Sequence, residues 1–191
     1  MIIKCYNTDE EYLLFLDIEF NNLDLVQYAG LLFQRIEDET YQLMRSVNIY
    51  ITSQVCYAFA NYTAITNNFL QENGMPLNDA IDLIENNFLK DIPYNNLLMI
   101  SHGLKNDRIV LNQAGLNTNM KGYCTFVNAR RILSRQDNLS LEAIANEAGY
   151  FLHHAHNAYN DAWAEVSVFT YLKKIEKQKG EETCILPTSA L

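Results

Sequence analysis

The order of elements predicts an α/β protein with a mixed five-stranded sheet flanked by helices. Three apolar and aromatic segments come first, and the second and third are separated only by the charged turn at 36–40. Val, Ile and Tyr favour strands, so this region indicates an antiparallel meander. Helical patterns then alternate with two further short apolar segments, which is typical of helices packed on a sheet.

Each predicted strand has its own local signal. The first is a continuous apolar run that ends in polar groups, and the fourth has the same form. Continuous apolar runs of this length are typical of buried strands. The five predicted strands span residues 13–20, 25–35, 41–51, 97–102 and 121–125.

Helix boundaries are indicated by capping residues. Thr66, Asn78 and Ser140 are good N-caps, because their side-chain oxygens accept from free backbone N–H groups. Gly74, Gly115 and Gly149 are typical helix ends. The predicted helices span about 66–72, 79–89, 107–113, 126–133, 141–148 and 159–175.

The length and composition indicate one folded domain. A chain of 191 residues with 49% apolar and 19% charged residues can bury a substantial core. We expect a lead-in at 1–10, the domain at 11–178 and a loose C-terminal tail at 179–191. No apolar run approaches the length of a membrane span and no signal peptide is evident, so a cytoplasmic location is expected.

Charge and cysteine content limit the classes of function. The net charge of −9 disfavours a broad, sequence-independent grip on nucleic acid, which needs many Lys and Arg residues. Any nucleic-acid contact should therefore be small, local and metal-assisted. The four cysteines are scattered, with no C-x-x-C pair, so a structural zinc site is not expected.

Asp17 and Glu19 stand at the end of the first predicted strand. Side chains alternate along a strand, so both carboxylates point the same way, about 6–7 Å apart. Neighbouring anions repel unless a cation lies between them. The pair therefore indicates either a metal site or a polar strand exit in water.

Two more carboxylates and all four histidines lie near later strand and helix ends. Asp107 and Asp161 each fall near a predicted helix start, where an acid also interacts favourably with the helix dipole. The histidines lie in the same two regions of the chain: His102, His153, His154 and His156. The conjunction of these motifs, in this order, favours a catalytic site over isolated structural roles.

The motifs Asp17-Ile18-Glu19, His102 to Asp107, and His156 with Asp161 resemble those of the DEDDh-type 3′→5′ exonucleases. This family is also called DnaQ-like or RNase T-like and belongs to the ribonuclease H-like superfamily. Two further segments support the resemblance, which covers about 11–177. Residues 62–66 resemble the family's T-G-I-T segment, with Ala64 for the glycine, and residues 138–145 resemble its S-L-x-x-L-A helix.

The resemblance implies a ribonuclease H-like fold and a site for two divalent cations, Mg²⁺ or Mn²⁺. Asp17 would bridge both ions, Glu19 and Asp161 would hold one of them, and Asp107 would act through waters. His156 would be the general base. Oxygen ligands suit these hard cations, and two such ions can promote phosphodiester hydrolysis. The tyrosine-type sister class has Tyr where this chain has Asn157, so the histidine type is expected.

Candidate substrate-binding residues are Phe20, Leu23, Ile65 and Asn106. Apolar groups beside such a site can stack on a terminal base; core packing is the alternative. Phe20 and Asn106 depart from the family's usual Thr and Phe, and Gly103 departs from its usual Asn, so the choice of nucleic acid stays open. Candidate phosphate contacts are Lys105, Arg108, Arg130, Arg131 and Arg135.

The expected function is metal-dependent 3′→5′ exonuclease activity on single-stranded DNA or RNA. One alternative is an accessory trimming or proofreading nuclease that works only within a larger assembly, such as a polymerase or a CRISPR prespacer-processing complex. A non-catalytic nucleic-acid-binding module and a zinc hydrolase using His102 or His154 are further alternatives. Expected partners are a nucleic-acid 3′ end and either a protein assembly partner or a second copy of the chain, with no membrane.

Overall fold

A computed structural model describes residues 1–153, 155–180 and 183–187, and shows a mixed α/β architecture. The sheet has six strands in the order β1-β4-β3-β2-β5-β6. The strands are β1 Ile2–Lys4, β2 Tyr12–Asn21, β3 Asp24–Glu37, β4 Thr40–Tyr50, β5 Leu97–Ser101 and β6 Lys121–Cys124.

The N-terminal half of the sheet is antiparallel and the C-terminal half is parallel. Strands β2, β3 and β4 form the predicted meander, and β1 pairs antiparallel with the outer side of β4. Strand β5 lies parallel to β2, and β6 lies parallel to β5. The predicted mixed sheet flanked by helices is confirmed, but the predicted number of five strands is wrong by one.

The additional strand is β1, which lies within the segment predicted to be a polar lead-in. Its three residues pair with β4 in the register Ile2 to Gln42 through Lys4 to Thr40. Cys5, directly after the strand, is fully buried. The first residues of the chain are therefore part of the sheet.

Helices cover both faces of this sheet. They are α1 Tyr57–Thr63, α2 Asn67–Asn73, α3 Leu77–Leu83, α4 Leu104–Ala114, α5 Thr125–Ile132, α6 Leu141–Glu147 and α7 Ala158–Lys179. A π-helical turn at Ile84–Phe88 extends α3. Among the described residues, no helix is sufficiently long and apolar to cross a membrane.

Several predicted helix ends are confirmed and others are wrong, including that of α7, which ends at Lys179 and not at about 175. Thr66 and Ser140 cap α2 and α6, accepting from the backbone N–H groups of Phe69 and Ala143. Asn78 is not a cap, because α3 begins at Leu77 after Pro76. Helix α4 begins at Leu104, three residues before the predicted start.

Strand β2 separates two apolar cores. Leu14, Leu16 and Ile18 face the side covered by α3, its π-helical turn and α4. Leu13 and Phe15 face the other side, where they pack with residues of α7 such as Phe169. Asp17 and Glu19 continue the alternation that begins with Leu13 and Phe15, so β2 directs both acids toward the α7 side.

The described part of the C-terminal segment, residues 183–187, packs against the sheet. The backbones of Leu186 and Gly122 exchange two hydrogen bonds at the outer edge of β6. The Asn128 side chain donates to the Cys184 carbonyl at 3.1 Å. The expectation of a loose tail is therefore wrong for these residues, while the proposed domain boundaries stay a prediction.

Candidate active site

The site lies where β2, the start of α4 and the start of α7 meet. Asp17 and Glu19 are half-buried in the second half of β2. A register shift in the β2–β3 pairing falls between Glu19 and Phe20, directly after the second acid. Bulges of this kind redirect side chains near strand ends. The predicted shared direction of Asp17 and Glu19 follows from this strand.

Asp107 is buried in the first turn of α4. The hydroxyl of Ser101, the last residue of β5, donates a short hydrogen bond to its Oδ2 atom. Gly103 lies directly beside this carboxyl group, since a Cβ atom on Gly103 would lie 3.6 Å from Asp107 Oδ1. The Ser101 bond fixes the direction of Asp107 from the end of the strand.

The loop before α7 holds His156 and Asp161 together. Asn157 caps the helix by accepting from the backbone N–H groups of Tyr159 and Asn160. The backbone N–H of His156 donates to Asp161 Oδ2 at 3.0 Å. His156 has φ +67°, a left-handed conformation that is uncommon for a non-glycine residue.

Glu19, His156 and Asp161 converge. One potential ligand atom from each of these residues lies within 4.8 Å of the other two. The second oxygen of Asp161, Oδ1, is buried and has no hydrogen-bond partner. A buried carboxylate oxygen without a donor is costly unless a cation or water satisfies it. The donor set and the unsatisfied atom fit a hard divalent cation.

Burial raises the pKa values of all four predicted acids, and the charges of neighbouring acids raise those of Asp17 and Glu19 further. Burial, followed by the charges of Asp107 and Asp161 and then of Glu19, raises the pKa of Asp17 well above its ordinary value. Burial and the charges of Asp161 and Asp107 raise the pKa of Glu19 to about 7. These couplings show that all four carboxyl groups share one electrostatic environment.

Asp107 and Asp161 also bind protons more tightly than ordinary aspartates. Burial raises the pKa of Asp107 to about 6, opposed by the hydrogen bond from Ser101. Burial likewise raises the pKa of Asp161 to about 6, opposed by the N–H of His156. Without a cation, the cluster therefore holds protons near neutral pH, which a metal would have to displace.

His156 has an aromatic neighbour that the sequence reasoning missed. Its imidazole lies 3.7 Å from the ring of Tyr62, centroid to centroid, with a tilt of 31° between the planes. Burial lowers the pKa of His156, so the neutral form required of a general base persists to lower pH. Tyr62 is 62% exposed, so one side of the pair faces solvent.

His102 is occupied by internal contacts. Its Nδ1 atom lies 2.9 Å from Thr125 Oγ1, and its Nε2 atom lies 2.8 Å from the Leu139 carbonyl oxygen. Burial lowers its pKa to about 4. Neither ring nitrogen is available as a zinc ligand in this arrangement. His154, the other histidine considered for zinc, lies outside the described residues.

The predicted substrate-binding residues occupy different environments. Leu23 and Asn106 are exposed, and Phe20 is partly buried against the core. Ile65 is 4% exposed and packs with Val26 and Leu70, which does not favour stacking on a base. Their roles in binding stay predictions.

Three of the five predicted phosphate-binding cations are already paired with other groups of the chain. Arg108 is buried and donates to the Met120 carbonyl at 2.6 Å, in space that Gly122 leaves by lacking a Cβ atom. Arg131 and Arg135 form ion pairs with Glu176 and Glu147. The remaining two, Lys105 and Arg130, are exposed.

Two further polar residues at the site were missed from the sequence. Ser101 ends β5 immediately before His102, and its bond to Asp107 was not foreseen. Glu165 follows Asp161 by one helical turn and is fully buried. The i, i+4 spacing from Asp161 places the two acids on one face of α7 and was the available signal for Glu165.

Solved structures share this fold. The nuclease domain of 3′hExo, a DEDDh family member solved with bound rAMP, has a TM-score of 0.67 at 14% identity, covering 94% of this chain and 98% of that one. Cell-death related nuclease 4 has a TM-score of 0.69 at 12% identity, covering 94% and 68%. Exonuclease X, solved with 5′ overhanging duplex DNA, has a TM-score of 0.62 at 18% identity, covering 90% and 95%.

The fold is therefore the DnaQ-like fold of the DEDDh exonucleases. No family model and no curated protein matches the sequence. The structural likeness establishes the architecture, whereas the activity has to be argued from the side chains of this chain.

Proposed function

We propose that the protein is a metal-dependent 3′→5′ exonuclease that hydrolyses phosphodiester bonds at the 3′ ends of single-stranded DNA or RNA. The observation that carries this proposal is the convergence of Glu19, His156 and Asp161 within 4.8 Å, beside two further acids. The three nucleases of known structure described above, which have this fold, support the same class of reaction.

The residues fit two divalent cations, Mg²⁺ or Mn²⁺. Asp17, Glu19 and Asp161 would hold them directly, and Asp107 would act through water. Bound cations supply Lewis-acid chemistry that favours ionised water and stabilises negative charge on the leaving oxygen. The raised pKa values of these acids, caused by burial and, for Asp17 and Glu19, also by neighbouring negative charges, are consistent with such a site, because a bound cation favours the ionised form.

His156 is proposed as the general base. Its neutral imidazole accepts a proton from the attacking water as the oxygen bonds to phosphorus. The bond from phosphorus to the 3′ oxygen of the penultimate nucleotide breaks, and that oxygen acquires a proton. The backbone bond from His156 to Asp161 and the stacked Tyr62 hold the imidazole beside the acids.

Matched oligonucleotides provide the test. Single- and double-stranded DNA and RNA, labelled at the 5′ end, are incubated with Mg²⁺, Mn²⁺ or Zn²⁺, and with EDTA. We expect stepwise shortening of the single strands with Mg²⁺ or Mn²⁺, and none with EDTA. Release of the labelled 5′ nucleotide first, or activity with Zn²⁺ alone, would contradict the proposal.

Paired variants separate the site from the rest of the surface. Asp161→Asn and His156→Ala should each reduce the rate at least about a hundredfold, the scale for loss of a general base. Asp79→Asn is the control for Asp161, because Asp79 is an exposed acid in the first turn of another helix. His153→Ala is the control for His156. Equal effects of site and control variants would refute the assignment.

The accessory-nuclease alternative is distinguished by the same assay. An isolated chain that binds Mg²⁺ but does not cleave any of the four substrates would favour a nuclease that requires a partner. The net charge of −9 gives this alternative its support, because the chain has few cations with which to bind nucleic acid by itself.

A further inference from the structure

Glu165 is a buried acid with no part in the proposed hydrolysis. It lies on α7 and is 0% exposed. Its Oε2 atom lies 3.0 Å from Thr125 Oγ1, whereas its Oε1 atom has no hydrogen-bond partner. An ionised carboxylate is poorly accommodated in such a position unless a cation pairs with it. Among the described residues, no salt bridge involves Glu165.

Thr125 connects Glu165 to His102 and Leu139. Its Oγ1 atom lies 2.9 Å from His102 Nδ1, and His102 Nε2 lies 2.8 Å from the Leu139 carbonyl oxygen. A carbonyl oxygen can only accept, so Nε2 must carry a hydrogen. The protonation of the other ring nitrogen then depends on Thr125.

The number of hydrogens in this chain limits its protonation. The Thr125 hydroxyl has a single hydrogen, and its third contact, the Ser101 carbonyl at 3.4 Å, is another acceptor. With a neutral His102, Nδ1 takes that hydrogen, so Glu165 can bond to Thr125 only by donating. If Glu165 were ionised and His102 neutral, only two hydrogens, one on the His102 ring and one on the Thr125 hydroxyl, would be available for three close contacts. One of those contacts would then have no hydrogen between its two atoms.

The other balanced arrangement is an imidazolium at His102 and a carboxylate at Glu165. Burial opposes both of these charges. It lowers the pKa of His102 to about 4 and, together with the charges of Asp107 and Asp161, raises the pKa of Glu165 well above its ordinary value, against the opposing effect of the nearby Thr125 hydroxyl and His102 backbone. The neutral arrangement is therefore favoured.

We infer that Glu165 is a neutral carboxylic acid that donates to Thr125, which donates to His102 Nδ1, while His102 Nε2–H donates to the Leu139 carbonyl. This directed chain joins α7, which carries Asp161, to α5 and to the end of β5, next to the Ser101–Asp107 bond. It does so without adding a fifth negative charge to the site. Glu165 is thus a positioning residue; that role rests on the proposed function, but the protonation does not.

Infrared difference spectroscopy tests the protonation directly. The spectrum of the Glu165→Gln variant is subtracted from that of the wild type, both metal-free and at neutral pH. The difference spectrum should show one carbonyl stretch of a protonated carboxyl group, which shifts in D₂O. Glu176→Gln is the control, because Glu176 is equally buried on α7 but paired with Lys173 and Arg131. Absence of the band in the Glu165 difference spectrum, or an equal band in that for Glu176, would overturn the inference.

The direction of the chain has its own test. The ¹⁵N spectrum of His102 at neutral pH should show a neutral ring protonated at Nε2, and a doubly protonated ring would overturn the inference. Thr125→Ser should keep the melting temperature within about 2 °C of the wild type, whereas Thr125→Val should lower it by about 5 °C by leaving two buried groups unpaired. Equal melting of the two variants would contradict the chain. None of these measurements requires nuclease activity, so failure of the proposed function is detected separately.

Discussion

The residue that shows most clearly how function opposes stability is Glu19. In the metal-free protein its pKa is raised to about 7, and those of Asp107 and Asp161 to about 6. A carboxyl group whose pKa is raised on folding stabilises the protein fully below its unfolded pKa of about 4, and that contribution is lost as the pH rises through the folded pKa. The four acids therefore destabilise the empty site at neutral pH.

We predict that the melting temperature of the metal-free protein falls as the pH rises from about 5 to about 8, the range set by these raised pKa values. Added Mg²⁺ should restore it, and more at pH 8 than at pH 6, because protons compete with the cation at the lower pH. Thermal unfolding with EDTA and with Mg²⁺ measures both effects. A melting temperature that rises with pH in EDTA would show that the acids are not coupled in this way.

Asp17 provides the sharpest test of the same conflict. Asp17→Asn replaces a carboxyl group whose ionisation is opposed in the folded protein by burial and by the other acids, so we expect a metal-free protein that melts about 2–4 °C higher, yet lacks nuclease activity. Asp24→Asn, at an exposed acid at the start of β3, is the control and should alter neither property. An Asp17→Asn protein with wild-type rates at saturating Mg²⁺ would exclude Asp17 as a metal ligand.

At the scale of elements, helix α1 contacts His156, the proposed general base, through Tyr62. Tyr62 near its C-terminal end stacks on His156, and the helix starts beside the end of β2, where Cys56 Sγ donates to Asn21 Oδ1 at 3.3 Å. A stacking contact contributes about 0.5–1.5 kcal/mol. In the proposed mechanism, α1 would therefore help catalysis by orienting the His156 ring.

We predict that Tyr62→Ala lowers kcat by about tenfold, because 1.4 kcal/mol of lost orientation corresponds to that factor. Tyr62→Phe keeps the stacked ring and should retain most of the rate. Tyr57→Ala, at an exposed tyrosine of the same helix, is the matched control. Steady-state kinetics on a single-stranded oligonucleotide give the comparison, and equal rates for Tyr62→Ala and Tyr62→Phe would remove Tyr62 from the positioning of His156.

The elements that could be predicted from the sequence are those with a strong local signal. Strand β2 is a continuous apolar run, and the Ser140 cap of α6 needs only its own neighbours. Strand β1 was missed because three residues form a strand only through pairing with β4. Helix α1 has no side-chain cap and ends at Ala64 in a left-handed conformation, so neither boundary carries the usual residue.

Some residues of the candidate site could likewise be predicted from the sequence, and others could not. Asp17 and Glu19 could be paired from strand alternation alone, and their link to Asp107 and Asp161 came from a resemblance that spans the chain. The contacts of Ser101, Tyr62 and Glu165 are set by how α1, α5 and α7 pack on the sheet. Spacing along one element cannot give contacts made between elements, so these residues emerged only from the structure.

At the scale of the whole molecule, the acidic charge limits how nucleic acid can bind. Of the cations considered as phosphate contacts, Arg108, Arg131 and Arg135 are engaged internally. Binding of a single strand by the inactive Asp161→Asn variant should therefore depend weakly on salt, with a slope of log K against log [salt] of about −1 to −2. Fluorescence anisotropy titrations measure it.

The same measurement tests whether Lys105 contacts a phosphate. It is exposed on the first turn of α4, so Lys105→Gln should reduce the salt slope by about 1 if it contacts a phosphate. Lys90→Gln, at an exposed lysine after the π-helical turn, should leave the slope unchanged. A slope steeper than about −4 for the Asp161→Asn variant would show a broad cationic surface that the positions of these side chains do not provide.

A buried ionic cluster ties both ends of the chain to α7. Lys173 is fully buried, pairs with Glu176 at 2.9 Å, and donates to the Asn7 carbonyl at 2.9 Å and to the Thr183 hydroxyl. Glu176 also pairs with Arg131 from α5. The segment after β1 and residues 183–187 are thereby joined on the same helix.

We predict that Lys173→Met destabilises the protein by about 3 kcal/mol, because removing one partner of a buried pair leaves the other charge uncompensated. Lys174→Met, at the exposed neighbouring lysine, should change stability by less than about 0.5 kcal/mol. The double variant Lys173→Met with Glu176→Leu should lose less than the sum of the single losses, since neither charge then remains buried alone and Arg131 is part-exposed. Urea unfolding compares the wild type with these three variants and with the single variant Glu176→Leu. Strictly additive losses would show that the two side chains stabilise the ends of the chain independently, through packing and not through their charges.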